Sequence, residues 1–118
     1  MEPCLILING YPGVGKHTIA KHIHTALDSD NNTTFIHNHL LIDPVEAICP
    51  GRNPRHYALR KKFRDVAFDA LIADPNPQLS IIITISLGAN ADDIAVMHEH
   101  LRIARERRIK RPLGQLDV

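Results

Sequence analysis

Hydrophobic and polar positions alternate between two spacings along this chain, and each change of spacing marks a boundary between elements. Cys4–Ile8 is a short apolar run, and Leu79–Leu87 is a longer, mostly β-branched run of the kind found in a strand buried on both faces. That second run predicts the centre of a parallel sheet. Thr33–Ile36 reads as a further short strand. Between the strands the spacing becomes helical. Ile19, Ile23, Ala26 and Leu27 predict a helix that ends in the polar cluster at 28–32. Leu59, Phe63, Val66, Ala67, Ala70 and Leu71 predict the longest helix, over about Arg55–Ala73, with Arg60, Lys61, Lys62 and Arg64 on its other face. Asp74-Pro-Asn-Pro77 stops it. After Leu87, Asn90 is placed to cap a last helix, with Asp92 and Asp93 in its first turn and Ile94, Met97, Leu101 and Ala104 facing inward. Pro44–Ile48 allows a short helix, and the stretch at 50–54 is a turn-rich break. The tail from Pro112 to Val118 has no periodicity that assigns an element. The alternation predicts one α/β domain over residues 1–118, with right-handed crossovers.

Composition narrows the function classes. A chain of 118 residues with net charge +1 has no global drive toward nucleic acid or membrane, and no apolar stretch approaches the length of a spanning helix. The first strand begins at once, which leaves no room for a signal segment, so the expected location is cytoplasmic with no membrane partner. Cys4 and Cys49 read as isolated small apolar residues. Eight histidines are more than usual, and several fall in pairs: His22/His24, His37/His39 and His98/His100. On a helix an i, i+2 pair points to different faces, so only His37 and His39, at a strand end, have local chelating geometry. With no cysteine at ligand spacing, histidines on the surface or lining a site are the favoured reading over a zinc centre.

The chemistry is concentrated after the first strand. Gly10-Tyr-Pro-Gly-Val-Gly-Lys16-His17-Thr18 reads as a phosphate-binding loop between strand and helix. Glycines at 10, 13 and 15 permit a concave array of backbone N–H donors, and Lys16 adds a cation at a helix N-terminus. The pattern GxxxxGK, the Walker A signature, is complete. The next position, where a hydroxyl would hold Mg²⁺, is His17; Thr18 follows and has two readings, metal ligand or phosphate contact. Beyond the second strand Asp43 is placed either to orient an acceptor hydroxyl or to cap the turn at Pro44. Arg52, beside Gly51, is the best placed of Arg52, Arg55, Arg60 and Arg64 for an anionic acceptor; the others also read as a solvated helix face. His39 is a further candidate for the same cleft. The third strand ends Thr84-Ile-Ser86-Leu87 without an acidic residue, and the basic cluster from Arg102 to Arg111 reads as a frayed, solvated helix end.

The run Leu5–Lys21, with an Asp-bearing segment after the second strand and an Arg-rich helix before the third, resembles P-loop kinases of the shikimate, gluconate and chloramphenicol phosphotransferase type, often labelled as AAA-domain proteins. The resemblance covers about residues 4–104. It implies a three-layer P-loop NTPase-like α/β fold with parallel sheet order 2-3-1. It also implies ATP and Mg²⁺ as cofactors, nucleotide contacts from Gly10, Gly13, Val14, Gly15, Lys16, His17 and Thr18, Thr18 as the metal ligand, Lys16 and Asp43 as catalytic residues, and Asp43 and Arg52 as acceptor contacts. The fourth and fifth strands, the basic lid and the adenine loop of that group are not found, so the chain reads as the N-terminal part of such a domain. An exposed edge on the first strand would then favour pairing of two copies around Leu5–Ile8 unless the tail covers it.

Three functions compete. The leading one is an ATP-binding, kinase-like enzyme that transfers phosphoryl to a small-molecule hydroxyl. The second is a non-catalytic nucleotide-binding module that acts through self-association. The third, an RNA-binding fragment using the C-terminal arginines, lacks aromatic stacking residues, since aromatics make up 4% of the chain, and a nucleic-acid partner is not expected.

Overall fold

A computed structural model describes residues 2–10, 15–27 and 32–109, and the backbone of 115–117. Its elements are β1 (Leu5–Asn9), α1 (Lys16–Leu27), β2 (Thr33–Ile36), α2 (His39–Ile48), α3 (Pro54–Ala73), β3 (Ser80–Ile85), α4 (Ala91–Glu106) and β4 (Gln115–Asp117). The strands form one parallel sheet of order β2-β3-β1-β4. The expected order 2-3-1 is present, with β3 at the centre. Every residue of β3 is buried, which is why its sequence is apolar without alternation.

Side-chain alternation along the strands sends residues to two faces. Leu5 and Leu7 of β1 and Ile81, Ile83 and Ile85 of β3 pack against Phe68 of α3 and Ile103 and Ala104 of α4. Ile8 and Ile82 face the other way and meet Ala20, Ile19 and Ile23 of α1. The result is three layers, helix on sheet on helix. Fully burying each such isoleucine contributes about 1.5–3 kcal/mol relative to leaving it exposed. The arrangement is a P-loop-like α/β fold, and no helix among the described residues is long and apolar enough to cross a membrane.

Helix ends follow local chemistry. Asn53 Oδ1 accepts the His56 N–H at 3.0 Å ahead of Pro54, and Asn90 Oδ1 accepts the Asp93 N–H at 2.9 Å, as its place before the last helix predicts. Three expectations need correction. The second helix starts at His39 rather than Pro44, with Pro44 in its interior. Its first turn is drawn tight by Leu40 N–H to His37 O at 2.9 Å and Leu41 N–H to Asn38 O at 3.2 Å, and burial of Val45 anchors the rest.

The tail also contributes where no pattern was readable. Gln115, Leu116 and Asp117 pair in parallel with Leu7, Ile8 and Asn9, so a short fourth strand extends the sheet and covers that part of the β1 edge. The basic end of α4 is the third case. Arg107 is half-buried and donates to the carbonyls of Leu71, Asp74 and Asn76 at 2.7, 3.0 and 2.6 Å, which holds the C-terminal end of α3. Arg102 pairs with Asp69 at 2.7 Å. Arg102 and Arg107 thus join α3 to α4, whereas Arg105 and Arg108 are exposed as expected and Lys110 and Arg111 lie outside the described residues.

Candidate functional site

The site lies at the C-terminal ends of the strands, where open α/β sheets hold ligands. β1 and β3 are tied together there beyond their regular ladder. Gly10 N–H donates to Ile85 O at 3.1 Å, and the Asn9 amide bridges to Leu87, donating to its carbonyl at 3.0 Å and accepting its N–H at 2.9 Å. This fixes the strand end from which the loop departs. Of the loop itself, Gly13 and Val14 lie outside the described residues. Gly15 has φ +84°, a left-handed conformation that strains any residue with a Cβ, so the glycine is required by the backbone.

Lys16 opens α1 and is buried, with 7% of its surface exposed. Its ammonium donates to Ser86 Oγ at 2.7 Å and to Gly10 O at 3.1 Å, while Ser86 Oγ donates to Gly10 O at 2.7 Å. Burial lowers the Lys16 pKa from the ordinary lysine value. A buried cation held by neutral oxygens at a helix N-terminus is suited to an incoming polyphosphate, which supplies the countercharge these partners lack.

Lys16 forms one wall of a cleft of about 220 Å³ whose lining includes Asn38, His39, Arg52, Arg60, Arg64, Thr84, Ser86 and His100. No carboxylate belongs to that lining among the described residues. Arg60 is set from below. Its Nε–H donates to His56 Nε2 at 2.7 Å, and the fully buried His56 donates Nδ1–H to Cys49 O at 2.8 Å. The carbonyl only accepts and the guanidinium only donates, so the neutral Nδ1–H tautomer of His56 is the one that satisfies both. The Arg60 guanidinium also lies 5.4 Å from the Tyr57 ring centroid. Arg64 donates Nη2–H to Glu99 Oε2 at 3.1 Å. Its Nε is buried without a hydrogen-bond partner among the described residues.

The sequence candidates divide accordingly. Lys16, Arg52 and His39 come together at the cleft, and Arg60 and Arg64 join them, whereas Arg55 is exposed and outside its lining. Asp43 is exposed on α2 and also outside the lining; its Oδ1 lies 3.4 Å from His39 Nδ1, so its link to the cleft runs through His39. Asn9, Asn38 and His56 carry no sequence signal as site residues, and His100 stands out in the sequence only as one of the histidine pairs. Their roles depend on partners distant in sequence or on burial, for which no motif exists; only the Asn53-Pro54 cap, which starts α3 and so sets the register of His56, Arg60 and Arg64, was a readable signal.

The histidines form a ring cluster. His17 lies 4.3 Å from His37 and 5.6 Å from Phe35, and His37 stacks on His39 at 4.9 Å, centroid to centroid. Burial lowers the His37 pKa, repulsion from Lys16 and from the neighbouring rings of His17 and His39 adds to this, and Asp43 opposes it. His37 Nδ1 accepts the His39 N–H at 3.2 Å. Among the described residues no group of three His, Cys, Asp or Glu is placed to hold a metal ion.

Mg²⁺ takes oxygen ligands. His17 offers nitrogen, Thr18 is exposed two residues past Lys16 and therefore about 200° around the helix, and the Ser86 hydroxyl is committed to Lys16 and Gly10. The described residues do not fit a protein-held Mg²⁺.

No family model matches the chain, and no curated protein matches it. Among solved structures, a chain in the structure of the Pnkp1/Rnl/Hen1 RNA repair complex is similar at 14% identity with a TM-score of 0.52. The likeness covers 97% of this chain and 40% of that one, so this chain spans about two fifths of that chain's length. At this identity the likeness concerns the fold.

Proposed function

We propose that this chain is a kinase-like nucleotide-binding domain that takes ATP at the loop ending in Lys16 and transfers its γ-phosphoryl group to a hydroxyl of a small molecule in the adjoining cleft. One observation carries this reading: Lys16 is buried at the α1 N-terminus and also forms a wall of a cleft lined by arginines. Lys16 and the loop amides would hold the β- and γ-phosphates, with Lys16 stabilising charge as it develops. The acceptor oxygen attacks the γ-phosphorus, the bond to the β–γ bridging oxygen breaks, and ADP leaves. His39 lines the cleft and pairs with Asp43, so His39 is the group to receive the hydroxyl proton and Asp43 the group to orient it. Arg52 contacts the acceptor.

The absence of a carboxylate from the described lining favours a second reading, nucleotide binding without transfer. Titration with ATP, ADP and GTP, with and without Mg²⁺, tests what both share. Binding that disappears in Lys16→Ala supports it, and binding that survives this change contradicts it. ADP formation with a panel of hydroxylated acceptors, including a short RNA because the structural neighbour comes from an RNA repair complex, separates the two. His39→Ala should abolish turnover while leaving nucleotide affinity unchanged.

A further inference from the structure

α3 presents His56, Arg60 and Arg64 at i, i+4 and i+8, one above another on the same helical face. Arg60 and Arg64 line the cleft, with Arg52 from the preceding loop. Like charges at i, i+4 destabilise a helix unless something compensates them. Compensation within the chain is partial. Glu99 takes one Nη of Arg64, and Glu46, the acidic neighbour on the Arg60 side, is about half exposed. Burial, and the charges of Arg52 and Arg64, lower the Arg60 pKa in spite of Tyr57 and Glu46. The buried Arg64 Nε has no hydrogen-bond partner among the described residues, a condition rare enough in native structures to call for an explanation.

We propose that Arg60 and Arg64, with Arg52, form a second oxyanion site, separate from the Lys16 loop, that binds a phosphate group carried by the acceptor, and that His56 is the residue that positions Arg60 for it. As an acceptor subsite it rests on the kinase reading above. As an anion site it stands on the arginines alone.

The chemistry selects phosphate. A phosphomonoester carries about −1.5 to −2 charges at neutral pH, and its oxygens match the donor fork of a guanidinium. A carboxylate supplies one charge to a wall of three arginines. His56 makes the arrangement specific, because its Nε2 occupies the Arg60 Nε–H and leaves the terminal Nη groups to meet the ligand, while the guanidinium lies over the Tyr57 ring. A second phosphate here places the acceptor's hydroxyl between two anion sites, one for the donor and one for the acceptor's own charge.

The test uses the full chain carrying Lys16→Ala, which disables the loop, titrated with inorganic phosphate and separately with acetate. Phosphate should bind this variant, with acetate at least about tenfold weaker. Adding Arg60→Gln or His56→Leu should weaken phosphate by about 10- to 100-fold. His56→Gln, whose carbonyl can still accept from Arg60, should recover most of the affinity, which separates positioning from mere support of the fold. Melting temperatures of all variants identify any that fail to fold, and His56→Gln keeps the test decisive if His56→Leu is one of them. Failure of the Lys16→Ala protein to bind phosphate, phosphate binding unaffected by Arg60→Gln, or acetate binding as tight as phosphate would each overturn the proposal. ATP titration of the unsubstituted chain distinguishes the two failures: Lys16-dependent ATP binding without a second phosphate site removes only this inference. Arg60-dependent phosphate binding without ATP binding removes the kinase reading and leaves the anion site.

Discussion

Lys16 and Ser86, seventy positions apart in the chain, are joined by a 2.7 Å hydrogen bond that holds the lysine ammonium at the C-terminal ends of β1 and β3. On the proposed function this bond competes with phosphate for the same ammonium. Ser86→Ala should therefore cost about 1–2 kcal/mol of stability, and ATP should raise the melting temperature more in this variant than in the parent. A thermal-shift series at several ATP concentrations checks this; equal shifts in the two proteins would contradict it.

The core prediction is a contrast. Ile83 is buried at the centre of the sheet, whereas Val66 of α3 is 74% exposed. Ile83→Ala should destabilise by about 2–5 kcal/mol, and Val66→Ala should change stability by less than about 0.5 kcal/mol, as read from urea unfolding midpoints.

That contrast also bears on what the sequence discloses. The β-branched run around Ile83 announces a buried central strand because both faces need apolar residues. Val66 fits the helical stripe equally well, yet it is exposed, since periodicity identifies a face without saying what covers it. Gly15 and the Asn90 cap are readable because their residue types are required locally. The start of α2 was hidden by Pro44, whose usual meaning as a break is overridden by burial of Val45. β4 is too short for any period to register. His56 could not be read as a positioning residue, because its meaning arises only when Cys49 and Arg60 bracket its ring. Arg107 reads as solvated from sequence because its acceptors are backbone carbonyls at and beyond the end of another helix, which carry no sequence signature.

Stability should fall as the solution is made acidic. Burial, with the Arg64 charge, lowers the pKa of His100 against the opposing Val96 carbonyl and Glu99, and His37 is lowered as well. The unfolded chain takes up these protons near pH 6.5, while the native state resists, so the unfolded state binds more protons and unfolding becomes easier as pH drops below that value. Urea midpoints measured from pH 7.5 to pH 5 should decline, and His100→Leu should decline less steeply. Matching slopes would show that His100 is not a source of the effect.

His17 stands where a hydroxyl ligand for Mg²⁺ is expected. His17→Ser restores the hydroxyl, so ATP affinity in that variant should become more responsive to Mg²⁺ than in the parent, by about tenfold if one good oxygen ligand is gained. Paired titrations in Mg²⁺ and in chelator read the difference directly, and an unchanged ratio would contradict the fit assigned to this position.

On the proposed function the cleft walled by Lys16 is the polyphosphate site. Amide chemical-shift mapping of the labelled chain with ATP tests it most directly. Perturbations should concentrate at Gly10, Gly15, Lys16, His17 and Ser86, and those at these five residues should vanish in Lys16→Ala. Shifts centred instead on the ion-paired surface of Lys61, Asp69 and Arg102, or no shifts in a folded protein, would contradict it.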